Sequence, residues 1–212
     1  MGVGFHFPLL VSPNQINGSI MRTATLTRNT KETQIHIELN LDGTGVFSIG
    51  TGIGFFDHML EQLSRHSGMD LSIQANGDIH IDDHHVVEDV GIALGQAISD
   101  ALGDKKGISR YGYFYCPMDE TLARTVLDLS GRPYCVFNAG FQRAKIGTLS
   151  SEMIREFFIA LTNSLKANIH IEVLYGVNDH HKSEAIFKSF ARAFKQAVTV
   201  SGNELPTTKG LL

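Results

Sequence analysis

Two short stretches of this chain carry metal-ligand chemistry at ligand spacing. Asp83-His84-His85-Val86-Val87-Glu88 and Asp179-His180-His181-Lys182-Ser183-Glu184 both read D-H-H-x-x-E, 96 residues apart. Imidazole and carboxylate are common metal ligands. On a helix, residues i and i+4 share a face, whereas i and i+1 point about 100° apart. His84 can therefore close with Glu88 on one ion, and His180 with Glu184 on another, while His85 and His181 turn away. In a duplicated unit each ion can take a His–Glu pair from one repeat and the diverging histidine from the other. That predicts one site of His180, Glu184 and His85, and a second of His84, Glu88 and His181. A single copy reads equally well as a polar helix start, with a capping Asp and a Glu suited to the positive end of the helix dipole. Two copies in matching contexts favour the metal.

Three ligands leave an octahedral ion short, so a fourth is sought at matched positions. His58 lies 26 residues before His84, and Glu156 lies 24 before His180. Both fall on the helix ahead of two strands that lead to the motif, one candidate per site. Nitrogen and oxygen ligands without sulfur favour manganese or iron over a Cys-type zinc site. Manganese is expected, with positions left open for substrate. His36, His80 and His170 alternate along strands and are expected to be structural or exposed.

The elements that must position these groups follow from periodicity. Ile35, Ile37, Leu39 and Leu41 share one face of a strand, with His36, Glu38 and Asn40 on the other. Asp42-Gly43-Thr44-Gly45 signals a hairpin turn, returning as a strand over Val46–Ile49. Phe55 to His66 has helix spacing and stops at Gly68. Leu71, Ile73 and Ala75 form a strand, Asn76-Gly77 turns, and Ile79 and Ile81 form another. Asp82 or Asp83 caps a long helix ending near Gly103. The second half echoes this order: strands over Thr125–Leu129 and Tyr134–Phe141 around a Ser130–Pro133 turn, a helix over Glu152–Leu165, a strand through Ile169–Tyr175, and a helix capped by Asp179. The expected fold class is α+β, a duplicated half-domain of strands, helix, strands, helix. The repeats span about 21–108 and 109–202, followed by a tail over 203–212.

Composition sets the limits. The chain has 212 residues, 42% hydrophobic and 19% charged, which suits one soluble globular domain. A net charge of −4 gives no general attraction to nucleic acid or to an anionic membrane, so an anionic ligand must meet local basic residues. Cys116 and Cys135 sit in no C-x-x-C pattern and are expected to be reduced thiols of a cytoplasmic protein. The run Phe5–Val11 is broken by His6 and Pro8 and lacks a preceding basic residue, so it makes a poor signal peptide. No stretch approaches membrane-span length. Residues 1–20 are expected to be a flexible extension.

Four segments resemble a known family. Phe56-Asp57-His58-Met59-Leu60, Gly77 through His85, Leu127-Asp128-Leu129-Ser130-Gly131-Arg132-Pro133-Tyr134, and Asp179 through Glu184 are similar to imidazoleglycerol-phosphate dehydratases. The resemblance runs from about Arg22 to the C-terminus. It implies two manganese ions per active site and helices packed between two mixed sheets. It also implies trimers that build a 24-subunit homo-oligomer with active sites between subunits. Where some members carry His-Phe-Phe, this chain has Glu156-Phe157-Phe158. Glutamate can ligate manganese, and whether Glu152 or Glu156 does so stays open.

The activity so implied is dehydration of imidazole glycerol phosphate to imidazole acetol phosphate in histidine biosynthesis. The proton to be lost has no carbonyl beside it. Two metals on both ring nitrogens would stabilise an imidazolate, whose electrons expel the adjacent hydroxyl to a diazafulvene-like intermediate. By family position Glu32 is the general base. His66, eight residues past His58 on the same helix, is a second acid/base candidate, and both face substrate together with His58. The phosphate is assigned to Arg110, Arg132, Lys188 and Lys209, with Thr207 and Thr208 adding hydroxyls from the tail. The rival reading is a di-metal hydrolase of a small phosphorylated or amide substrate, since paired metals also activate water. A metal-storage assembly is a third, and it leaves the basic residues unexplained.

Overall fold

The computed structural model describes residues 21–212, so the extension expected at 1–20 lies outside the described residues. The first repeat runs β1 (Thr23–Asn29), β2 (Thr33–Asn40), β3 (Phe47–Gly50), α1 (Gly54–Ser67), β4 (Asp70–Gly77) and α2 (His84–Leu102). The second runs β5 (Tyr111–Met118), β6 (Thr121–Asp128), β7 (Tyr134–Asn138), a small hairpin of β8 (Lys145–Ile146) and β9 (Leu149–Ser150), α3 (Glu152–Leu165), β10 (Asn168–Tyr175) and α4 (Asp179–Val198). Strand order is β1-β2-β4-β3 in one sheet and β5-β6-β10-β7 in the other. Apart from the β8–β9 hairpin the repeats match element for element. Both sheets are mixed: β3 runs parallel to β4 and β7 to β10, and the other neighbours are antiparallel. The α+β duplication with helices between two sheets is what the structure shows.

Alternation decides which face is buried. Ile35, Ile37 and Leu39 of β2 point inward, while His36 and Glu38 stay partly exposed. Alternation does not decide which strands are neighbours, and here the expected Asp42–Gly45 hairpin is corrected. β3 does not return beside β2. β4 lies between them, with Ile73 opposite both Ile37 and Ile49. A distant residue holds the loop: the Asp70 carboxylate accepts hydrogen bonds from the Thr44 and Val46 N–H groups at 2.8 and 2.9 Å, which ties the loop to the start of β4. In the second half the Ser130–Pro133 turn is present, but β10 separates the two strands it joins.

Three further expectations are corrected. Ile79 and Ile81 form no strand. The chain turns there, with Ile81 N–H donating to the Asp78 carbonyl at 2.8 Å, and both side chains are exposed. One strand, not two, therefore leads into each motif. Asp83 holds the N-cap position of α2, but its carboxylate accepts from Ser150 N–H and Oγ instead of the helix. The N-cap of α4 is Asn178, which accepts from His180 N–H at 2.9 Å. Asp179 is buried against the Gln142 and Arg143 N–H groups and the Lys182 ammonium. Strand β5 is missing from the sequence expectation, because the inward position Gly112 offers no apolar side chain and its tyrosines face out.

The four helices form the middle layer. α2 lies on β1 and β2 and packs across the pseudo-two-fold on α3, while α4 lies on β5 and β6 and packs on α1. Gly91 and Gly95 permit the first of these contacts, since a Cβ at either would sit 2.8 Å from the Phe157 carbonyl or 2.6 Å from that of Leu161. Phe157, Phe158, Phe187 and Phe190 fill the centre with ring centroids 5.0–5.5 Å apart. Among the described residues no helix is long and apolar enough to cross a membrane, and both cysteines are unpaired. Gly95→Val should force α2 from α3 and cost about 1–3 kcal/mol of unfolding free energy, as overpacking does. Urea denaturation checks this, and an unchanged midpoint would refute the close contact.

Candidate active site

The start of α4 builds the tightest group of ligand atoms. His180 and Glu184 lie one turn apart, and His180 Nε2 meets Glu184 Oε1 at 2.9 Å. His58, on the flank of α1 that packs against α4, brings its Nε2 to 3.4 Å from the same oxygen. The three ligand atoms lie within 4.8 Å of one another, the one such cluster among the described residues. Phe55 backs it, with ring centroids 5.1 Å from His180 and 6.5 Å from His58. An ion with bonds of roughly 2.1 Å holds neighbouring ligand atoms roughly 3 Å apart, so the donor set fits a small divalent cation. Burial would raise the Glu184 carboxyl, but hydrogen bonds from Lys188, His180 and His58 outweigh it and hold the group at about 2. Lys188 takes the other oxygen, Oε2, leaving Oε1 to the imidazoles.

The other half is laid out alike but more openly. His84 Nε2 and Glu88 Oε2 are 3.8 Å apart, and both side chains are half-exposed. Glu156 is the fifth residue of the 14-residue α3, as His58 is the fifth of the 14-residue α1. The structural counterpart of His58 is therefore Glu156, whereas Glu152 opens its helix opposite Gly54. The Glu156 carboxylate pairs with Arg155 at 2.7 Å and does not join His84 and Glu88 in a tight cluster.

The second histidine of each motif diverges, as adjacent helical residues must. Ring planes of His84 and His85 cross at 80°, and those of His180 and His181 at 89°. His85 Nδ1 bonds both Asp78 oxygens at 3.1 Å, and His181 Nδ1 bonds Glu120 at 2.7 Å. Neither crossed set, His180/Glu184/His85 or His84/Glu88/His181, closes within one chain. Hydrogen bonding to Asp78 raises the proton affinity of His85, and hydrogen bonding to Glu120 raises that of His181. Glu120, held by the Asn178 N–H, His181 and the Val177 N–H, lies well below the carboxylate range. Asp78 and Glu120 escaped the sequence reading. The signal was there for Glu120, which precedes β6 as Glu32 precedes β2.

Glu32 is largely exposed, its Oε1 3.9 Å from His85 Nε2. His66 Nε2 donates to Gln62 Oε1 at 3.0 Å, and burial and the charges of Lys188 and Arg192 depress its proton affinity. The basic candidates divide. Arg110 sits in a left-handed conformation (φ 67°), forks onto Asp128 at 2.6 and 3.0 Å, and donates to the Pro206 carbonyl at 2.8 Å. Two of its five N–H groups remain for a ligand. The Arg132 carbonyl is fixed by Asn168 at 2.6 Å, and its turn residue Gly131 abuts Leu212, so the tail bearing Thr207, Thr208 and Lys209 comes back to the same corner. Lys188 instead pairs with Glu184.

A family model described as "Imidazoleglycerol-phosphate dehydratase" matches residues 51–194. The chain belongs to that family. Imidazoleglycerol-phosphate dehydratase from Chlorobium phaeobacteroides is 55% identical over 192 residues, covering 91% of this chain and 96% of the relative. The enzyme of Paracoccus denitrificans is also 55% identical, over 91% of this chain and all (100%) of its own. Among solved structures, the dehydratase from Staphylococcus aureus superposes with a TM-score of 0.77 at 44% identity, covering 84% of this chain and 99% of the other. That from Pyrococcus furiosus gives 0.77 at 34% identity, covering 88% and 100%. The chain is thus a dehydratase, a carbon–oxygen hydro-lyase.

Glu184→Gln should weaken manganese(II) binding by roughly tenfold or more, as loss of a cluster ligand does. Titration calorimetry measures this, and wild-type affinity in the variant would remove Glu184 from the cluster. Ligation needs neutral imidazoles. Because His85 and His181 hold protons more tightly than usual, affinity should begin to fall on acidification above the ordinary imidazole range. Affinity flat through that range would contradict it.

Proposed function

We propose that this dehydratase converts imidazole glycerol phosphate to imidazole acetol phosphate in histidine biosynthesis, with two manganese ions per active site. The observation that carries this reading is the His58–His180–Glu184 cluster, repeated in position by Glu156, His84 and Glu88. His85 and His181 face away from both groups, as ligands offered to a neighbouring copy would. Held by these residues, the ions would supply Lewis acidity toward the imidazole ring of the substrate.

The remaining chemistry falls to side chains. Water leaves in two parts, a hydroxyl from the carbon next to the ring and a proton from the following carbon, and the resulting enol becomes the ketone. Glu32, an exposed carboxylate beside His85, accepts that proton. His66, whose proton affinity burial and the charges of Lys188 and Arg192 lower, is the second acid/base group and passes a proton to the departing hydroxyl, which leaves as water. Arg110 and Arg132 grip the phosphate from a fixed corner, joined by Thr207, Thr208 and Lys209, with Lys188 at the edge of the cluster. Held at that end, the substrate is oriented before reaction begins.

A homo-oligomer of trimers assembled into a 24-mer completes the proposal. It is supported by exposed tyrosines at both edges of the second sheet, Tyr111, Tyr113 and Tyr115 on β5 and Tyr134 on β7, where a monomer would keep polar side chains. Two unpaired cysteines suit a cytoplasmic setting. Supplied with imidazole glycerol phosphate and manganese, the protein should form an enolisable ketone without releasing inorganic phosphate. Phosphate release would instead select the di-metal hydrolase. Glu32→Gln should lower kcat by about 10²- to 10⁴-fold, the usual contribution of a general base, with manganese affinity retained. Full turnover in that variant would exclude Glu32 as the base.

A further inference from the structure

Glu32 and Glu120 occupy the same place in the two repeats. Each immediately precedes an eight-residue strand opened by threonine, Thr33 in β2 and Thr121 in β6. Each also lies beside the outward-turned histidine of its own motif. Their surroundings differ. Glu120 Oε1 accepts from Val177 N–H at 3.0 Å, Asn178 N–H at 2.7 Å and Thr121 Oγ1 at 3.0 Å, and its Oε2 takes His181 Nδ1 at 2.7 Å. Glu32 approaches the opposite edge of its imidazole, 3.9 Å from His85 Nε2. The Nδ1 edge of His85 is held by Asp78. The second repeat has no equivalent of Asp78. Counted from the motif the matching residue is Leu174, and counted from the strand end it is Gly176, neither of which has a side-chain acceptor.

An ionised carboxylate only accepts hydrogen bonds, so the nitrogen facing it must carry the proton. Both outward histidines are thereby set with Nδ1–H toward a carboxylate and the lone pair of Nε2 on the far edge of the ring, where Glu32 Oε1 stands 3.9 Å from His85 and Asp119 Oδ2 3.6 Å from His181, both beyond hydrogen-bond reach. A carboxylate behind a metal-bound imidazole fixes ring orientation and tautomer in this way. We infer that Glu120 and Asp78 are positioning residues that hold His181 and His85 ready to ligate through Nε2, and that Asp78, by orienting His85, leaves Glu32 available for the reaction. The inference rests on the di-manganese reading above. Two equivalent glutamates thus take different roles. The second repeat uses its copy to orient a ligand, and the first offers its copy to substrate.

Glu120→Gln tests it with little change of shape. Two backbone N–H groups draw the amide oxygen, which turns the NH2 toward His181 Nδ1, so donor meets donor and the ring must move its proton to Nε2. Manganese affinity, read by calorimetry, should fall about 10- to 100-fold, the usual cost of losing such a partner. Asp78→Ala, which removes the carboxylate behind His85, should weaken binding likewise. Solid-state 15N spectra of histidine-labelled, metal-free protein should show a ring converting from the Nδ1–H to the Nε2–H tautomer in Glu120→Gln. Glu32→Gln should keep wild-type affinity and spectra while losing turnover. A purely structural role for Glu120 would lower the thermal midpoint and leave both affinity and tautomer unchanged, overturning the inference. Wild-type protein with His181 Nδ1 unprotonated would overturn it as well, with or without metal. If wild-type protein binds no manganese, the di-manganese reading itself fails. If wild-type protein binds it and Glu120→Gln binds it equally well, only the present inference fails.

Discussion

One turn of helix can aim two side chains at a point, and no more. His180 and Glu184 use that allowance at the start of α4, as His84 and Glu88 do in α2. A third ligand must come from another helix, and the architecture supplies it across the pseudo-two-fold. α1 of the first repeat lies on α4 of the second, and α3 of the second lies on α2 of the first. The sheets serve this middle layer. They hold four helices at the separations that bring His58 to Glu184, and Gly91 and Gly95 set the matching distance on the other side. Had each repeat folded its two helices only on each other, each motif would face its own fifth-position residue, and the two halves would be independent.

Much of this was legible from residue types and spacing. The divergence of His85 from His84 follows from helical geometry, and the crossed ring planes agree. The four helices appear where apolar spacing puts them, because a buried stripe at helical period leaves few alternatives. Strand neighbours were not legible. The Asp42–Gly45 loop has the composition of a hairpin, yet a carboxylate 26 residues beyond Thr44, Asp70, captures its amides and β4 takes the central place. Ile79 and Ile81 alternate like a strand but have no sheet edge to join. Side-chain partners that come from distant loops, such as Glu120 for His181, carry no local pattern at all and surface only when the two repeats are laid over one another.

The basic corner obeys a different logic from the ligand cluster. Arg110 is clamped by Asp128 and the Pro206 carbonyl, and Tyr111 lies under its guanidinium at 4.8 Å. Such a side chain loses little freedom on meeting an anion, and its charge is already partly balanced. Lys105, buried beneath the Leu129 carbonyl with its proton affinity lowered by burial, stiffens the same region from below. Rigidity there contrasts with the openness around His84 and Glu88, whose side chains are half-exposed and 3.8 Å apart.

The motif aspartates give the duplication a mechanical side. Asp179 of the second repeat holds the amides of Gln142 and Arg143, and Asp83 of the first holds Ser150, so the two ends of one inserted segment are tethered to the two ligand-bearing helices. Ser151 closes the loop by donating to the Arg143 carbonyl at 2.7 Å. The segment therefore works as a tie-rod. Each end of the segment is thus fixed to a different repeat by a few short hydrogen bonds, so one stretch of chain shares in the placing of both helices.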